Sequence, residues 1–218
     1  MAYLNRQNIG VFWPIPKKGT KYLAVASYNK DESIPLIVVL RDILKIVTNK
    51  KELKGLINEK KIQINHKEIK DTNFPVCLFD VINLVEIKKN YLAVFSEKKK
   101  MIFKEVSEKD SETKVFKVLN KKILPEKKIQ FNLMHGKNII SKEKVNTGDS
   151  ILLNLKNNSI IKIIPMEKGK NAFIMKGKHM GKSGKIENTM QRGGKTIAKI
   201  ISKEGKINVW VKNIIITE

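Results

Sequence analysis

Cysteine and histidine are scarce in this chain of 218 residues, which limits the chemistry open to it. The single cysteine, Cys77, excludes an internal disulfide and any zinc site that needs several cysteines. Since Cys77 stands between two apolar residues, we expect it to be buried rather than nucleophilic. The three histidines at positions 66, 135 and 179 lie far apart in the sequence, so neither a metal site nor a cofactor is predicted.

Long apolar segments are also missing. The longest uninterrupted apolar run, Ile34–Leu40, is too short to span a bilayer, and the N-terminus lacks the apolar stretch of a signal peptide. Together with the low cysteine count, these absences predict a soluble cytoplasmic protein without a membrane partner. The hydrophobic fraction of 41% still allows a folded core, so general disorder is not expected.

Acidic residues and arginine are under-represented among the charged residues. The chain has 44 lysines and arginines against 21 acidic residues, a formal net charge of +23, and only three of its basic residues are arginine. A charge of this size repels itself and favours a polyanionic partner. Lysine is a hydrated point charge, whereas arginine suits bidentate base recognition, so this composition predicts phosphate neutralisation rather than base-edge reading.

The positive charge is unevenly distributed along the chain. Residues 1–30 hold five basic and no acidic residues, whereas residues 31–85 hold nine basic and eight acidic ones. Residues 86–165 hold 18 basic and nine acidic residues, and residues 166–218 hold 12 and four. One segment is therefore almost neutral, and the others carry nearly the whole excess.

Signatures of catalysis are weak. Gly194–Lys195–Thr196 has the tail of a phosphate-binding loop, but position 189 holds threonine where that motif needs glycine. Asp80 precedes an apolar strand, where a turn or capping role is expected rather than acid–base chemistry. No metalloprotease helix, nucleophile elbow or spaced cysteine–histidine set is present in the sequence. We therefore predict a protein that is not an enzyme and has no small-molecule substrate.

Residues 1–30, which make up most of the predicted arm, show no hydrophobic period and mix cations, aromatic rings and turn formers. Such a segment is typical of an extended arm that binds along RNA and is disordered before assembly. The alternative is an ordered lead-in whose Trp13 packs on the next domain.

Two helices are predicted after this arm. Residues 34–47 are largely apolar, with Ser33 as a candidate N-cap and with Arg41 and Lys45 four residues apart on one face. Residues 49–59 form the second helix, whose start at Asn49 resembles a capping box and whose outer face carries lysines. A hairpin and a further strand complete this compact unit.

From residue 86 onward the hydrophobic period is two, which predicts short strands in a small barrel or curled sheet. The strands predicted before residue 86, in the helical unit, are Lys61–Asn65 and Asp80–Leu84. Those predicted after it are Tyr91–Phe95, Met101–Val106, Lys114–Leu119, Lys128–Leu133, Ser150–Leu155, Ile160–Ile164, Ala172–Met175, Gly184–Glu187, Thr196–Ser202, Ile207–Val211 and Ile214–Thr217.

The segment Lys176–Ile186 combines glycine with positive charge. Its glycines at 177, 181 and 184 allow positive φ and the close approach of another backbone. Four lysines and a histidine project from the same segment, which suits a grip on a sugar–phosphate backbone. The alternative is an ordinary tight loop on a basic surface.

These segments resemble a known family when they are taken in order. Residues 40–65, with LRDILK and KELKGLINEKKIQIN, are similar to the small RNA-binding fold named after bacterial ribosomal protein S-four. Residues 172–188, AFIMKGKHMGKSGKIEN, resemble a KOW motif. Further matches to the archaeal and eukaryotic S-four-e family of small-subunit ribosomal proteins are WPIPKKGTK at Trp13–Lys21, ESIPLIVVLRD at Glu32–Asp42, FPVCLFDVI at Phe74–Ile82, KIQFNLMHGKNI at Lys128–Ile139 and TGDSILLNL at Thr147–Leu155.

The resemblance covers nearly the whole chain, looks archaeal, and implies a fold and a function. It implies an α+β chain of several modules: a basic arm at 1–33, an S-four-like RNA-binding domain at 34–85, a central β domain at 86–168 and an SH3-like KOW barrel at 169–218. It also implies a structural protein of the small ribosomal subunit that binds 16S-type ribosomal RNA beside neighbouring ribosomal proteins. One departure is His66, which stands in a turn where the family commonly has glycine.

Charge on the solvent sides of these elements predicts where RNA is contacted. The alternative is an RNA-modifying enzyme or accessory factor, which would need a catalytic domain that the remaining residues do not indicate. The predicted RNA contacts are Arg6, Lys17, Lys18, Lys21, Arg41, Lys45, Lys50, Lys51, Lys54, Lys61, Lys176, Lys178, His179, Lys182, Lys185 and Arg192.

Overall fold

The computed structural model describes residues 3–125, 128–202 and 205–217. The chain divides into two compact units, Met1–Glu112 and Thr113–Glu218. Both are mostly β with a few short helices, so the predicted α+β class is met only coarsely, with strands predominating. Among the described residues, no helix is both long and apolar enough to cross a membrane.

The described residues of the first unit, 3–112, form nine short strands and a few helical segments. They are β1 (Tyr3–Asn5), β2 (Tyr22–Ala24), β3 (Ile34–Pro35), α1 (Leu36–Val38), a π-helical turn (Val39–Ile43), α2 (Lys50–Asn58), β4 (Ile62–Ile64), β5 (Lys67–Glu68), β6 (Pro75–Val76), β7 (Val81–Leu84), β8 (Lys89–Phe95), β9 (Met101–Val106) and α3 (Glu108–Ser111), with a 3₁₀ turn at Arg6–Asn8.

An antiparallel five-stranded sheet in the order β5-β4-β7-β8-β9 organises this unit. The buried face of the helical segment 36–40 and the inward side chains of α2, Leu53 and Ile57, pack in the same apolar core as the sheet residues Ile62 and Ile82. The sheet includes residues 89–106, so it crosses the boundary that the sequence placed at residue 85. The change of hydrophobic period at residue 86 marks the start of longer strands within one continuing sheet. In the sequence, such a change looks the same as the start of a new domain.

The segment predicted as an arm is folded onto this core. Strands β1 and β2 pair in antiparallel register, and Trp13 is only 2% exposed among the residues of the core. The backbone N–H of Met101 donates to the carbonyl of Phe12 at 2.8 Å. The expectation of a disordered arm is therefore wrong in this structure, and the packed alternative for Trp13 is confirmed.

The helix predicted over 34–47 is shorter than expected. Ile34 and Pro35 form a strand with Pro75–Val76, because the residue before a proline is biased toward extended backbone. Helical backbone then runs from Leu36 to Leu44 through the π turn, whose defining bond joins the Leu44 N–H to the Val39 carbonyl at 2.9 Å. The predicted N-cap at Ser33 is wrong, since its hydroxyl donates to the Asn29 carbonyl at 2.7 Å.

The second predicted helix is confirmed with its cap. The Asn49 side chain accepts from the Glu52 N–H at 2.9 Å and caps α2. The Glu52 carboxylate reaches one residue further back than a capping box would place it, and accepts from the Thr48 N–H at 2.7 Å. These hydrogen bonds lower the pKa of Glu52.

The turn between β4 and β5 has the left-handed backbone that its family resemblance implies for glycine. Asn65 and His66 have φ of 53° and 58°, the signature of a two-residue hairpin turn with both central residues left-handed. Asn65 is held on both sides, because its amide donates to Asp80 at 2.7 Å and accepts from the Val81 N–H at 3.0 Å. The His66 Nε2 lies 3.1 Å from the Ser111 carbonyl. These contacts offset the strain of placing histidine there.

In the second unit, the described residues form ten strands. They are β10 (Thr113–Ile123), β11 (Ile129–Leu133), β12 (Asn138–Ser141), β13 (Ser150–Asn154), β14 (Ile160–Ile164), β15 (Asn171–Ile174), β16 (Ser183–Arg192), β17 (Lys195–Ser202), β18 (Gly205–Trp210) and β19 (Ile214–Thr217), with 3₁₀ turns at Met134–Gly136 and Val211–Asn213.

Two antiparallel five-stranded sheets form this unit, in the orders β12-β11-β10-β13-β14 and β18-β17-β16-β15-β19. Each has its own apolar core, the first around Phe131 and Ile151 and the second around Ile174 and Ile200. A hydrogen bond of 2.9 Å links the two sheets, in which the Ser150 hydroxyl of β13 accepts from the Ile216 N–H of β19. Strands β14 and β19 have the predicted bounds, while β16 runs five residues past its predicted end at Glu187.

Candidate nucleic-acid interface

Arg6 is occupied within the protein. Its guanidinium donates to the carbonyls of Pro16 at 2.8 Å and Thr20 at 2.7 Å, and to the Thr20 hydroxyl at 2.8 Å. A longer bond of 3.4 Å reaches the Lys18 carbonyl. With four hydrogen bonds made internally, Arg6 holds the loop 16–20 in shape, and few of its donors remain for a phosphate.

The loop that Arg6 holds, together with the residue that follows it, displays three of the predicted contacts. Lys17, Lys18 and Lys21 are all exposed. The Lys21 ammonium lies 5.3 Å from the centre of the Tyr22 ring, and this ring is itself 55% exposed. The structure thus brings Arg6, Lys17, Lys18 and Lys21 together, but as a supported loop rather than a flexible arm.

Three predicted contacts of the first unit differ from expectation. Arg41 makes a two-pronged ion pair with its neighbour Asp42, at 2.9 Å and 3.0 Å, which raises the pKa of Arg41. Lys45 lies beyond the helix end in left-handed backbone, with φ of 54°, so it does not share a helix face with Arg41 as predicted. Lys61 lies between two carboxylates.

The carboxylates at Lys61 compensate its charge. Its ammonium is 2.9 Å from Glu59 and 3.2 Å from Glu86, and these bonds raise the pKa of Lys61. A lysine already paired twice offers less to a phosphate, because displacing its carboxylates offsets the gain. Among the predicted residues of the first unit, α2 therefore stands out.

The outer face of α2 carries Lys50, Lys51 and Lys54, all exposed. The single acidic residue of this helix, Glu52, is turned back to Thr48 by two hydrogen bonds. Lys50 and Lys54 are four residues apart, so they project from the same side of the helix. This arrangement presents a lysine face on a helix that is anchored by Leu53 and Ile57 in the core.

The basic glycine-rich segment forms a closed loop between β15 and β16. Backbone bonds of 2.9 Å join the Ile174 N–H to the Lys182 carbonyl and the Gly181 N–H to the Ile174 carbonyl. Met175 and Met180 are buried on either side of the tip, at 4% and 8% exposure. The tip is therefore fixed to the core at both ends.

The three glycines of this loop have the two roles predicted from the sequence, namely positive φ and close approach of another backbone. Gly177 and Gly181 have φ of 95° and 88°, which residues with side chains rarely adopt. Gly184 lies in ordinary strand backbone, but a Cβ there would be 2.3 Å from the Ile201 carbonyl oxygen of the adjacent strand. Close approach of another backbone thus explains Gly184 and turn geometry explains the other two.

Positive side chains surround this fixed tip. Lys176, Lys178 and Lys185 are exposed, and His179 and Lys182 are half-buried. Arg192 is exposed at the end of β16, where it pairs with Lys195 across the two-glycine turn of the β16–β17 hairpin. That hairpin also shows that Gly194–Lys195–Thr196 is no phosphate-binding loop.

The second unit also has a groove that was not predicted from the sequence. It has a volume of about 830 Å³ and lies between the β10 segment 117–120 and the segment Trp210–Lys212. Trp210 is 49% exposed, and the Lys195 ammonium lies 4.3 Å from the centre of its ring. Lys195 and Trp210 lie on neighbouring strands, so only the pairing of β17 with β18 reveals them as one feature.

The positive charge is concentrated in the second unit. Residues 113–218 hold 23 basic and seven acidic residues, against 21 and 14 in residues 1–112.

Asp80 has the predicted structural role, as its carboxylate accepts from the Cys77 N–H at 2.6 Å and from the Asn65 amide. Within the described part of the chain, no group of three or more His, Cys, Asp or Glu is placed to hold a metal.

Comparisons with known proteins agree on one family. The family model described as "Ribosomal family S4e" matches residues 87–160. The small ribosomal subunit protein eS4 of Methanosphaera stadtmanae is 36% identical over 188 residues, which cover 85% of this chain and 78% of that protein. The eS4 protein of Methanococcus maripaludis is 32% identical over 216 residues, or 94% of this chain and 87% of that protein.

A solved structure shows the same fold. The crystal structure of 30S ribosomal protein S4e from Thermoplasma acidophilum superposes with a TM-score of 0.73, at 23% identity, covering 86% of this chain and 95% of that one. Identity above 30% over more than two thirds of several archaeal relatives establishes common descent independently of the fold. The chain belongs to the eS4 family of small ribosomal subunit proteins, a family of structural, non-enzymatic components of the cytoplasmic ribosome.

Proposed function

We propose that this chain is a structural constituent of the small ribosomal subunit that binds 16S-type ribosomal RNA through several separate lysine surfaces. Family membership supports the ribosomal role. The net charge of +23 supports a polyanionic partner, and the predominance of lysine supports contacts to phosphates rather than to base edges.

The observation that carries this proposal is the loop between β15 and β16. It is fixed to the core by backbone hydrogen bonds and two buried methionines, and residues 176–185 contain no acidic residue. A rigid loop loses little conformational entropy on binding, so its lysines can neutralise phosphates at low ordering cost. We further propose that this loop works as a KOW motif and that residues 169–218 act as an SH3-like KOW barrel.

In the first unit, the proposed RNA contacts centre on α2. The lysine face of Lys50, Lys51 and Lys54 belongs to the segment 34–85, which we propose acts as an S-four-like RNA-binding domain. The loop residues Lys17, Lys18 and Lys21 add a second surface in that unit. Arg6, Arg41 and Lys61 support these surfaces or have their charge compensated, so we expect smaller contributions from them.

The proposed partners are ribosomal RNA and neighbouring small-subunit proteins, without catalysis. A salt titration of binding tests the proposal, because each phosphate contact releases counterions. Purified protein should bind small-subunit ribosomal RNA with an affinity that falls steeply and linearly in log–log form as salt rises. Binding that is insensitive to salt, or absent at low salt, would contradict the proposal.

A further inference from the structure

The groove beside Trp210 combines the features of a stacking site for one nucleotide. Its volume of about 830 Å³ lies in the range of small-molecule sites and exceeds what a single base needs. Trp210 supplies a half-exposed aromatic face, and Leu119 and Val211 add apolar surface beside it. These three residues lie side by side along the groove, and contiguous exposed apolar surface marks binding sites more often than a lone exposed residue does.

The charges of the groove indicate the chemistry of its occupant. The groove is lined by Lys117, Lys195 and Lys212, and none of its lining residues is acidic. Lys117 is buried beneath the groove and donates to the carbonyls of Val211 and Ile214, so it positions the wall. Lys195 and Lys212 are exposed at the rim and can reach an anion attached to a ring that lies on Trp210.

We propose that this groove binds an unpaired nucleotide of single-stranded RNA, with its base stacked on Trp210 and its phosphates beside Lys195 and Lys212. This inference rests on the proposed function but names a separate site and a mode of binding. Aromatic stacking accepts any base, and lysines neutralise the backbone, which together give affinity with little sequence preference. Asn120, Thr147 and Thr196 line the same groove and offer amide and hydroxyl groups to the base edge.

The position of Lys195 supports the ring as a binding surface. The Lys195 ammonium lies over the indole, 4.3 Å from the ring centre, so this face of the ring is open to a ligand that attracts it. When a base stacks there, the long and flexible lysine side chain allows the ammonium to move to the phosphate of the bound nucleotide. Base-paired RNA would keep its bases within the helix, so the groove should select unpaired nucleotides.

Tryptophan fluorescence of the full chain tests the proposal directly. The chain has two tryptophans, and Trp13 is 2% exposed, so it serves as an internal reference that an RNA base cannot reach. Titration with a short single-stranded RNA oligomer should quench the Trp210 emission, while the same sequence as a duplex should quench it far less. Equal quenching by both, or none by the single strand, would overturn the proposal and would leave a protein partner as the occupant to seek.

Variants separate stacking from charge. Trp210→Ala should weaken binding of the single-stranded oligomer by about 5- to 150-fold with little change in the salt slope, and Trp210→Phe should retain most of the affinity. Met190→Ala, which alters an apolar residue 48% exposed on the same sheet but outside the groove, is the matched control and should bind normally.

Two failures can be told apart. If the wild type binds neither the oligomer nor small-subunit RNA, the proposed function fails. If the wild type binds and Lys178→Ala weakens binding, but folded Trp210→Ala and Trp210→Phe both bind the oligomer as the wild type does, only the stacking groove is refuted.

Discussion

Lys117 makes the stability of the second unit depend on pH in an unusual direction. Its side chain is 3% exposed and donates to the carbonyls of Val211 and Ile214, so an ammonium is held away from water. Burial lowers the pKa of Lys117 from 10.5 to about 8. Between these two values the unfolded chain holds the proton that the folded chain has released. The folded state therefore binds fewer protons, and stability rises with pH.

The size of this effect follows from the two pKa values. Between pH 7 and 9.5, the folded state loses the Lys117 proton and the unfolded state keeps it. The free energy of unfolding should therefore rise by about 2 kcal/mol, since each unit of pKa difference is worth about 1.4 kcal/mol. Below pH 8 the unit carries the full cost of the buried charge.

Urea unfolding at pH 7 and at pH 9.5 measures this rise. Fluorescence of Trp210 in a Trp13→Phe background reports the second unit alone, because the two tryptophans lie in different units. Lys117→Met should abolish the rise, and Lys212→Met should keep it because Lys212 is exposed. A wild-type stability that is flat or falls over this range, or a Lys117→Met protein with the same rise, would refute the reasoning.

Three further predictions concern the loop, the lysines and the helix cap. Gly184→Ala should destabilise the second unit by about 1–3 kcal/mol in urea unfolding, because the new Cβ clashes with the Ile201 carbonyl oxygen. The control is Gly55→Ala, whose Cβ meets nothing within 4 Å, so this change should be neutral or stabilising. Equal effects of the two changes on stability would contradict the packing argument. Lys178→Ala should lower the slope of log affinity for RNA against log salt by about 0.7–0.9, because one phosphate contact is lost. Lys61→Ala should lower this slope less, because Lys61 is already paired with Glu59 and Glu86. A larger change from Lys61→Ala than from Lys178→Ala would contradict the assignment of Lys178 as the stronger RNA contact. Asn49→Ala should cost about 1 kcal/mol of stability in thermal or urea unfolding, and no loss would show that α2 does not depend on its cap.

Features set by local sequence were predictable. The cap at Asn49 depends on residues three apart, and short segments rich in apolar and β-branched residues placed Met101–Val106 and Ile214–Thr217 at their observed bounds. The glycine positions of the basic loop were also readable, because positive φ and close approach both exclude a side chain. Each of these signals is contained within one element.

Features set by distant partners were not predictable. The loop of residues 16–20 looked like a flexible arm because nothing local reveals that Arg6 hydrogen-bonds its carbonyls. Lys61 looked available until folding placed Glu86 beside it. Lys195 and Trp210 became one site only through strand pairing. A positive charge count therefore identifies the class of partner, whereas the contacts depend on which charges the fold leaves uncompensated.

Sucrose-gradient sedimentation of cell extract tests the central claim most directly, because it asks whether the chain belongs to the small subunit in its own cell. The protein should sediment with small ribosomal subunits and leave them as salt is raised, since its proposed contacts are to phosphates. A protein found only in the free fractions at low salt would contradict the proposed function.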